Sequence, residues 1–205
     1  ITERRRAEEA LKKSEEKLRY IVENSTNLFY SHTAEHKLTY LSPQCRDFLD
    51  CEPEEAMINW TEFATDNPSN EKGFAVTEEA IKTGKRQPSY ELEVVGKKGR
   101  KIWVEVNEVP VTENGHTVAV VGSLNDITER KRAEEELRKS HQTFLTVLDG
   151  IDATVYVADM DTHEILFMNR HMIDAFGADL TGKICYDVFR GETTPCDHCT
   201  NDQLV

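Results

Sequence analysis

The apolar positions of this chain change period several times, and each change marks an element. Over residues 89–95, Tyr90, Leu92 and Val94 alternate with Glu91 and Glu93. A period of two is that of a strand with one buried face. Residues 101–109 repeat it, with Ile102, Val104 and Val106 set against Trp103, Glu105 and Asn107. Gly96-Lys97-Lys98-Gly99 separates these strands, and Glu113-Asn114-Gly115 turns the chain into a third over residues 117–124. Earlier, residues 27–33 and 37–41 read as a hairpin around Ala34-Glu35-His36. Residues 43–50 and 53–57 read as short helical pieces, the second with proline at its first position. Residues 70–83 predict a longer helix, stopped by Gly84. Two strands, then helices, then a meander predict an α+β fold: one five-stranded antiparallel sheet with flanking helices.

The two charged stretches outside this block are near-copies. Ile1 to Ser14 reads ITERRRAEEALKKS, and Ile127 to Ser140 reads ITERKRAEEELRKS. Their Ala, Glu, Lys, Arg and Leu content predicts helices. Ala7, Leu11, Ser14, Leu18 and Ile21 form a short heptad seam; Ala133, Leu137, Ser140, Phe144, Val147 and Ile151 form another. Two readings fit: a coiled-coil connector that makes a homodimer, or an amphipathic helix lying on its own domain. Repetition at this distance implies like modules in tandem, and hence a piece of a longer protein. The expected division is a connector at 1–21, a first module at 22–128, a second connector at 127–148, and the opening half of another module at 149–205. The junction Asp126-Ile127-Thr128-Glu129 has the form of a helix start, with Asp126 as cap and Glu129 at the capping-box position.

Charge and composition narrow the function. A net charge of −13 argues against nucleic acid, whose phosphates need a basic footprint. No apolar run reaches the ~18 residues that span a bilayer. Five cysteines, an odd number, fit reduced cytoplasmic thiols better than a disulfide framework. No phosphate-binding loop or metalloprotease motif occurs, and no paired nucleophile and base is evident, so the chain reads as non-catalytic.

Several motifs occur in a telling order. Tyr40-Leu41-Ser42-Pro43 is followed by Phe48-Leu49 and Glu52-Pro53-Glu54-Glu55. Gly99-Arg100-Lys101-Ile102-Trp103-Val104 comes next, and the meander ends in Gly122-Ser123-Leu124-Asn125-Asp126-Ile127-Thr128-Glu129-Arg130. This succession resembles a PAS domain, with its Asp-Ile-Thr motif running into a charged helix. Residues 153–159, 164–168 and 169–177 repeat the opening of the pattern. The resemblance implies a PAS fold and a tandem sensory module of a multi-PAS signalling protein. The implied parent is a histidine kinase, or alternatively a cyclic-dinucleotide enzyme. Signals would pass through Asp126, Thr128 and Glu129 into the helix beyond.

The resemblance also implies a small pocket between sheet and helices. The alternation places Phe29, Tyr40, Phe74, Leu92, Val104 and Val120 around it; no polar cluster names a ligand. Haem is not expected in the first module, because residues 70–83 hold no histidine and His32 and His36 are expected exposed at the hairpin. Cys45-Arg46-Asp47-Phe48-Leu49 looks like the flavin-adduct motif of light-sensing PAS domains. Cys45 lies too early in the pattern, however, and reads as a small apolar helix residue. Cys185, Cys196, His198 and Cys199 form C-x10-C-x-H-C. Thiolates so placed can share zinc or an iron–sulfur cluster, although the spacing is not that of a standard zinc knuckle. The alternative function is therefore metal or redox sensing at this cysteine loop.

Overall fold

The alternation of residues 90–124 becomes three paired strands. A computed structural model describes residues 2–197 and 199. Helix α1 (Thr2–Glu23) is followed by β1 (Leu28–His32), β2 (Leu38–Leu41) and the short helix α2 (Cys45–Leu49). Two 3-10 turns, Pro53–Ala56 and Trp60–Phe63, lead to α3 (Asn70–Thr83). Then come β3 (Tyr90–Val95), β4 (Lys101–Glu113), β5 (His116–Asp126) and helix α4 (Thr128–Asp149). The five strands form one antiparallel sheet in the order β2-β1-β5-β4-β3. Leu92 stands opposite Val104, as the meander requires. The β4–β5 turn takes Asn114 and Gly115 to positive φ, 50° and 81°, conformations asparagine and glycine adopt at little cost. β3 reaches only as far as Tyr90, opposite Val106, so Pro110 sits where β4 has lost its β3 neighbour.

The core lies between one face of this sheet and α2, α3 and the 3-10 turns. Leu28, Ile102, Val104, Val106, Leu92 and Val120 are buried from the strands. α3 turns Gly73, Thr77 and Ala80 inward. At Gly73 a methyl group would stand 2.4 Å from the Leu92 side chain, so glycine sets how closely helix and sheet approach.

Chain contacts divide the molecule into two units, residues 1–132 and 133–205, with the boundary inside α4. In the second unit, β6 (Tyr156–Ala158) pairs with β7 (Ile165–Met168), and helices α5 (Arg170–Phe176) and α6 (Cys185–Arg190) follow. Its buried cluster is small: Ile165, Met168 and Met172.

Helices α1 and α4 carry their seams uncovered in the single chain. Leu11 and Leu18 are each 61% exposed, Leu137 is 72% exposed, and Phe144 and Val147 are also exposed. Among the described residues, no helix is long and apolar enough to cross a membrane.

Candidate functional site

Cross-strand register builds the pocket in rows, because residues opposite one another on adjacent strands share a face. One row runs Leu28, Leu124, Val106 and Tyr90. The next runs Tyr30, Gly122 and Glu108, and the third runs His32, Val120 and Pro110. The first row is mostly apolar and borders a cavity of about 50 Å³, lined also by Leu38, Leu41, Leu49, Trp60, Phe63, Leu92 and Val94. The second and third rows bury polar groups.

The Tyr30 hydroxyl donates to Glu108 Oε2 at 2.9 Å, across β5. Only glycine allows this reach: a methyl on Gly122 would lie 2.6 Å from Tyr30 Oη. The Tyr90 and Thr77 hydroxyls are 2.6 Å apart. Burial, with Tyr90 and Glu108 nearby, drives the Tyr30 phenol well above its ordinary value; burial likewise raises Tyr90. The His32 ring stacks on Tyr30 at 5.9 Å and sits 6.2 Å from Trp60, which stacks on Phe74 at 5.1 Å. Trp60 Nε1 donates to His36 Nδ1 at 3.2 Å, and the other nitrogen of His36 meets Glu78 of α3 at 2.7 Å.

These positions correct several expectations. Phe29 and Tyr40 do not face the pocket. β1 buries Leu28, Tyr30 and His32, so Phe29 lies on the opposite face. Tyr40 is 46% exposed, opposite Ser31 on the outer face, while Leu38 and Leu41 point inward around a register shift at Ser31/His32. His32 is buried and His36 half-buried, not exposed. Leu92 lines the cavity, Val104 and Val120 are buried in the core, and Phe74 packs behind Trp60. The polar cluster of Tyr30, His32, Thr77, Tyr90 and Glu108 was missed. Glu108 continues the inward phase of Ile102, Val104 and Val106, and an acid in that phase was the available signal.

The junction beyond β5 is closed by hydrogen bonds. Asp126 Oδ1 accepts from Thr128 N at 2.8 Å, as a cap does. Ile127 N donates to Trp103 O at 2.9 Å, and Thr128 Oγ1 accepts from Trp103 N at 3.0 Å. The threonine thus continues the ladder one step after the strand has ended. Lys131 lies over the Trp103 ring and pairs with Glu91, which Arg130 also meets at 2.8 Å. Glu129 does not close a capping box: it is exposed and paired with Arg132 at 3.1 Å, while Asp126 is engaged in the ladder opposite Val104.

A second hydrogen-bonded junction stands where each entering helix meets its sheet. Gln44 Nε2 donates to the carbonyls of Val22, Glu23 and Ser25, and Ser42 Oγ accepts from Phe29 N. In the second unit Asn169 does both: Nδ2 donates to the carbonyls of Leu148, Ile151 and Ala153, and Oδ1 accepts from Val155 N.

The cysteines fall into two kinds. Cys45 is fully buried, donates to Cys51 O at 3.2 Å, and has its pKa pushed up to about 11, chiefly by burial. It is a core side chain. Cys185, Cys196 and Cys199 are half-buried and near enough that the latter two help burial to raise the Cys185 thiol. Among the described residues, no group of three or more His, Cys, Asp or Glu is placed to hold a metal ion. His198 lies outside the described residues.

A PAS domain family model matches residues 26–129, just over half of the chain, and a second PAS domain model matches residues 142–204. The chain belongs to the PAS domain family and carries two such domains in tandem. Among solved structures, the sensory box histidine kinase/response regulator of Burkholderia thailandensis E264 is 19% identical over 62% of this chain and 97% of its own, with a TM-score of 0.51. An RNA-binding light-oxygen-voltage receptor is 17% identical over 61% of this chain, with a TM-score of 0.52; the match spans 36% of that receptor. At these identities the likeness is one of fold. Comparison with curated protein sequences gives no match.

Proposed function

We propose that the chain is a non-catalytic sensory and dimerisation module of a multi-PAS signalling protein, in which occupancy of the first core pocket is relayed through Asp126 and Thr128 into α4. One observation carries this reading. Trp103 receives and gives a hydrogen bond across the end of β5, to the residues that open the helix. β4, which carries Trp103, also carries Val106 at the pocket, so a shift of that strand reaches both places. The exposed seams of α1 and α4 support a homodimer, since apolar positions at heptad spacing are stabilised by burial against a like helix. We place this chain in the cytoplasm, and for the parent we propose a histidine kinase, the class named for the Burkholderia structure above.

Thr128→Val keeps the shape of the side chain and removes the acceptor for Trp103 N. Hydrogen exchange should then accelerate at Trp103 and in the first turns of α4, while Val104 and Val106 stay protected. Unchanged exchange in α4 would refute the relay. Sedimentation of the wild type should give a dimer that Leu137→Asp weakens by placing a charge in an apolar seam. A monomeric wild type would remove dimerisation from the proposal.

A further inference from the structure

The polar corner of the first module holds two lone pairs that its own side chains leave unmatched. His32 is 1% exposed, and its Nδ1 lies 2.7 Å from the carbonyl of Thr33. A carbonyl only accepts, so Nδ1 carries the hydrogen, and in the neutral ring Nε2 is an acceptor. Burial, the largest influence, lowers the pKa of His32, with Thr33 O and Glu108 opposing it and His36 adding to it, which favours that neutral ring. Among the described residues, Nε2 has no partner. Glu108 is 5% exposed; Oε2 takes the Tyr30 hydroxyl, the Tyr90 hydroxyl lies close enough to the carboxylate to be affected by it, and Oε1 has no hydrogen-bond partner within range. No Lys, Arg or His among the described residues lies within ion-pair distance of this carboxylate. Unmatched buried acceptors are destabilising, and an uncompensated buried charge is more so. Tyr30, which holds the carboxylate, also lines the apolar cavity of about 50 Å³.

We propose that this corner binds a small primary ammonium ion, its N–H groups directed to Glu108 Oε1 and His32 Nε2 and its short alkyl chain in the adjoining cavity. The positive charge compensates the carboxylate, and the hydrogens supply what both acceptors lack. A water could donate to both atoms but would leave the charge unmatched. A carboxylate ligand would be repelled, and a quaternary ammonium has no N–H to give. The cavity has space for only a few heavy atoms, which limits the chain to a few carbons. The inference rests on reading the first module as a ligand sensor, and it names the ligand class.

Propylammonium is the probe, titrated calorimetrically into the full chain at neutral pH, beside propan-1-ol, propionate and tetramethylammonium at equal ionic strength. Propylammonium should bind at least tenfold more tightly than propan-1-ol, with no measurable binding of the other two. Glu108→Gln should weaken the amine at least tenfold and leave the alcohol unchanged. Equal affinities for amine and alcohol, no amine binding, or an unchanged amine affinity in Glu108→Gln would overturn the site. Should that variant fail to fold, the ligand series on the wild type decides. Hydrogen exchange at Trp103 separates the two claims. Amine binding that leaves this amide unchanged sinks the relay and keeps the site. A response there to other small molecules, with none to the amine, sinks the site and keeps the relay.

Discussion

The two PAS modules meet the same local problem with different side chains. Where a helix enters the sheet, its last carbonyls need donors and the first strand needs an acceptor. In the second module Asn169 serves both from one amide; in the first, Ser42 accepts and Gln44, two residues later, donates. The hairpins agree as closely. His36 and His163 both take positive φ, and each carbonyl receives the first residue of a following helical turn, Trp60 in one case and Cys185 in the other. The conserved quantity is the set of satisfied backbone groups, and the residues that satisfy it are interchangeable. What differs is the core behind: a five-stranded sheet with an extended buried cluster in the first module, against two strands over three buried apolar residues in the described part of the second.

The largest test of that contrast is core truncation. Leu28→Ala should cost the first module about 2–5 kcal/mol. Ile165→Ala should fall at the low end of that range, because a small cluster collapses more easily around the gap. Both tryptophans, Trp60 and Trp103, lie in the first unit, so urea titration followed by their fluorescence reads that module, while amide exchange reads the second. Equal losses would erase the distinction.

Next come the clamps. Asn169→Ala strips donors from three carbonyls and the acceptor from Val155, a loss of about 1–3 kcal/mol. Gln44→Ala removes the donors alone, leaves Ser42 in place, and should cost less. Exchange at Phe29 and Val155 reports each clamp, and an equal effect at both would contradict the division of labour.

Gly122→Ala has no counterpart in the second module's described strands. It should force Tyr30 off Glu108 at about 1–3 kcal/mol and disturb the tyrosine's ring signals in NMR spectra. An unmoved Tyr30 would show that β5 yields instead.

The smallest effect is pH dependence. Because the folded value of His32 is lowered, the unfolded chain takes up the proton first as pH falls. Stability present at neutral pH should therefore be lost below about 6.5, as pH drops toward the folded value. The second module buries no histidine among its described residues and should show no matching loss. His32→Phe should flatten the slope of the first module.

Much of this fold was written in local patterns. Tyr90, Leu92 and Val94 show their burial because charged residues sit between them, and helix α3 carries its stop in Gly84. Leu28-Phe29-Tyr30 offers no such contrast: three apolar residues in a row leave the strand's phase undetermined, and Phe29 was placed on the wrong face. The turn at Trp60–Phe63 is too short for any period to show. The polar corner was hidden for another reason. Its members come together only through the pairing of β1 with β5 and β5 with β4, and no local window contains that register.

That same pairing bears on folding order. The β3-β4-β5 meander closes through short turns, whereas Tyr30 and Glu108 meet across 78 residues of chain. Loop closure of that length is slow and comes at an entropic cost that nearby hairpins avoid. β1 is therefore expected to dock after the meander has formed, and a species caught before that step has Glu108 but neither Tyr30 nor His32 beside it. Such an intermediate has no recognition corner at all, so responsiveness to a ligand arrives with the final closure of the sheet.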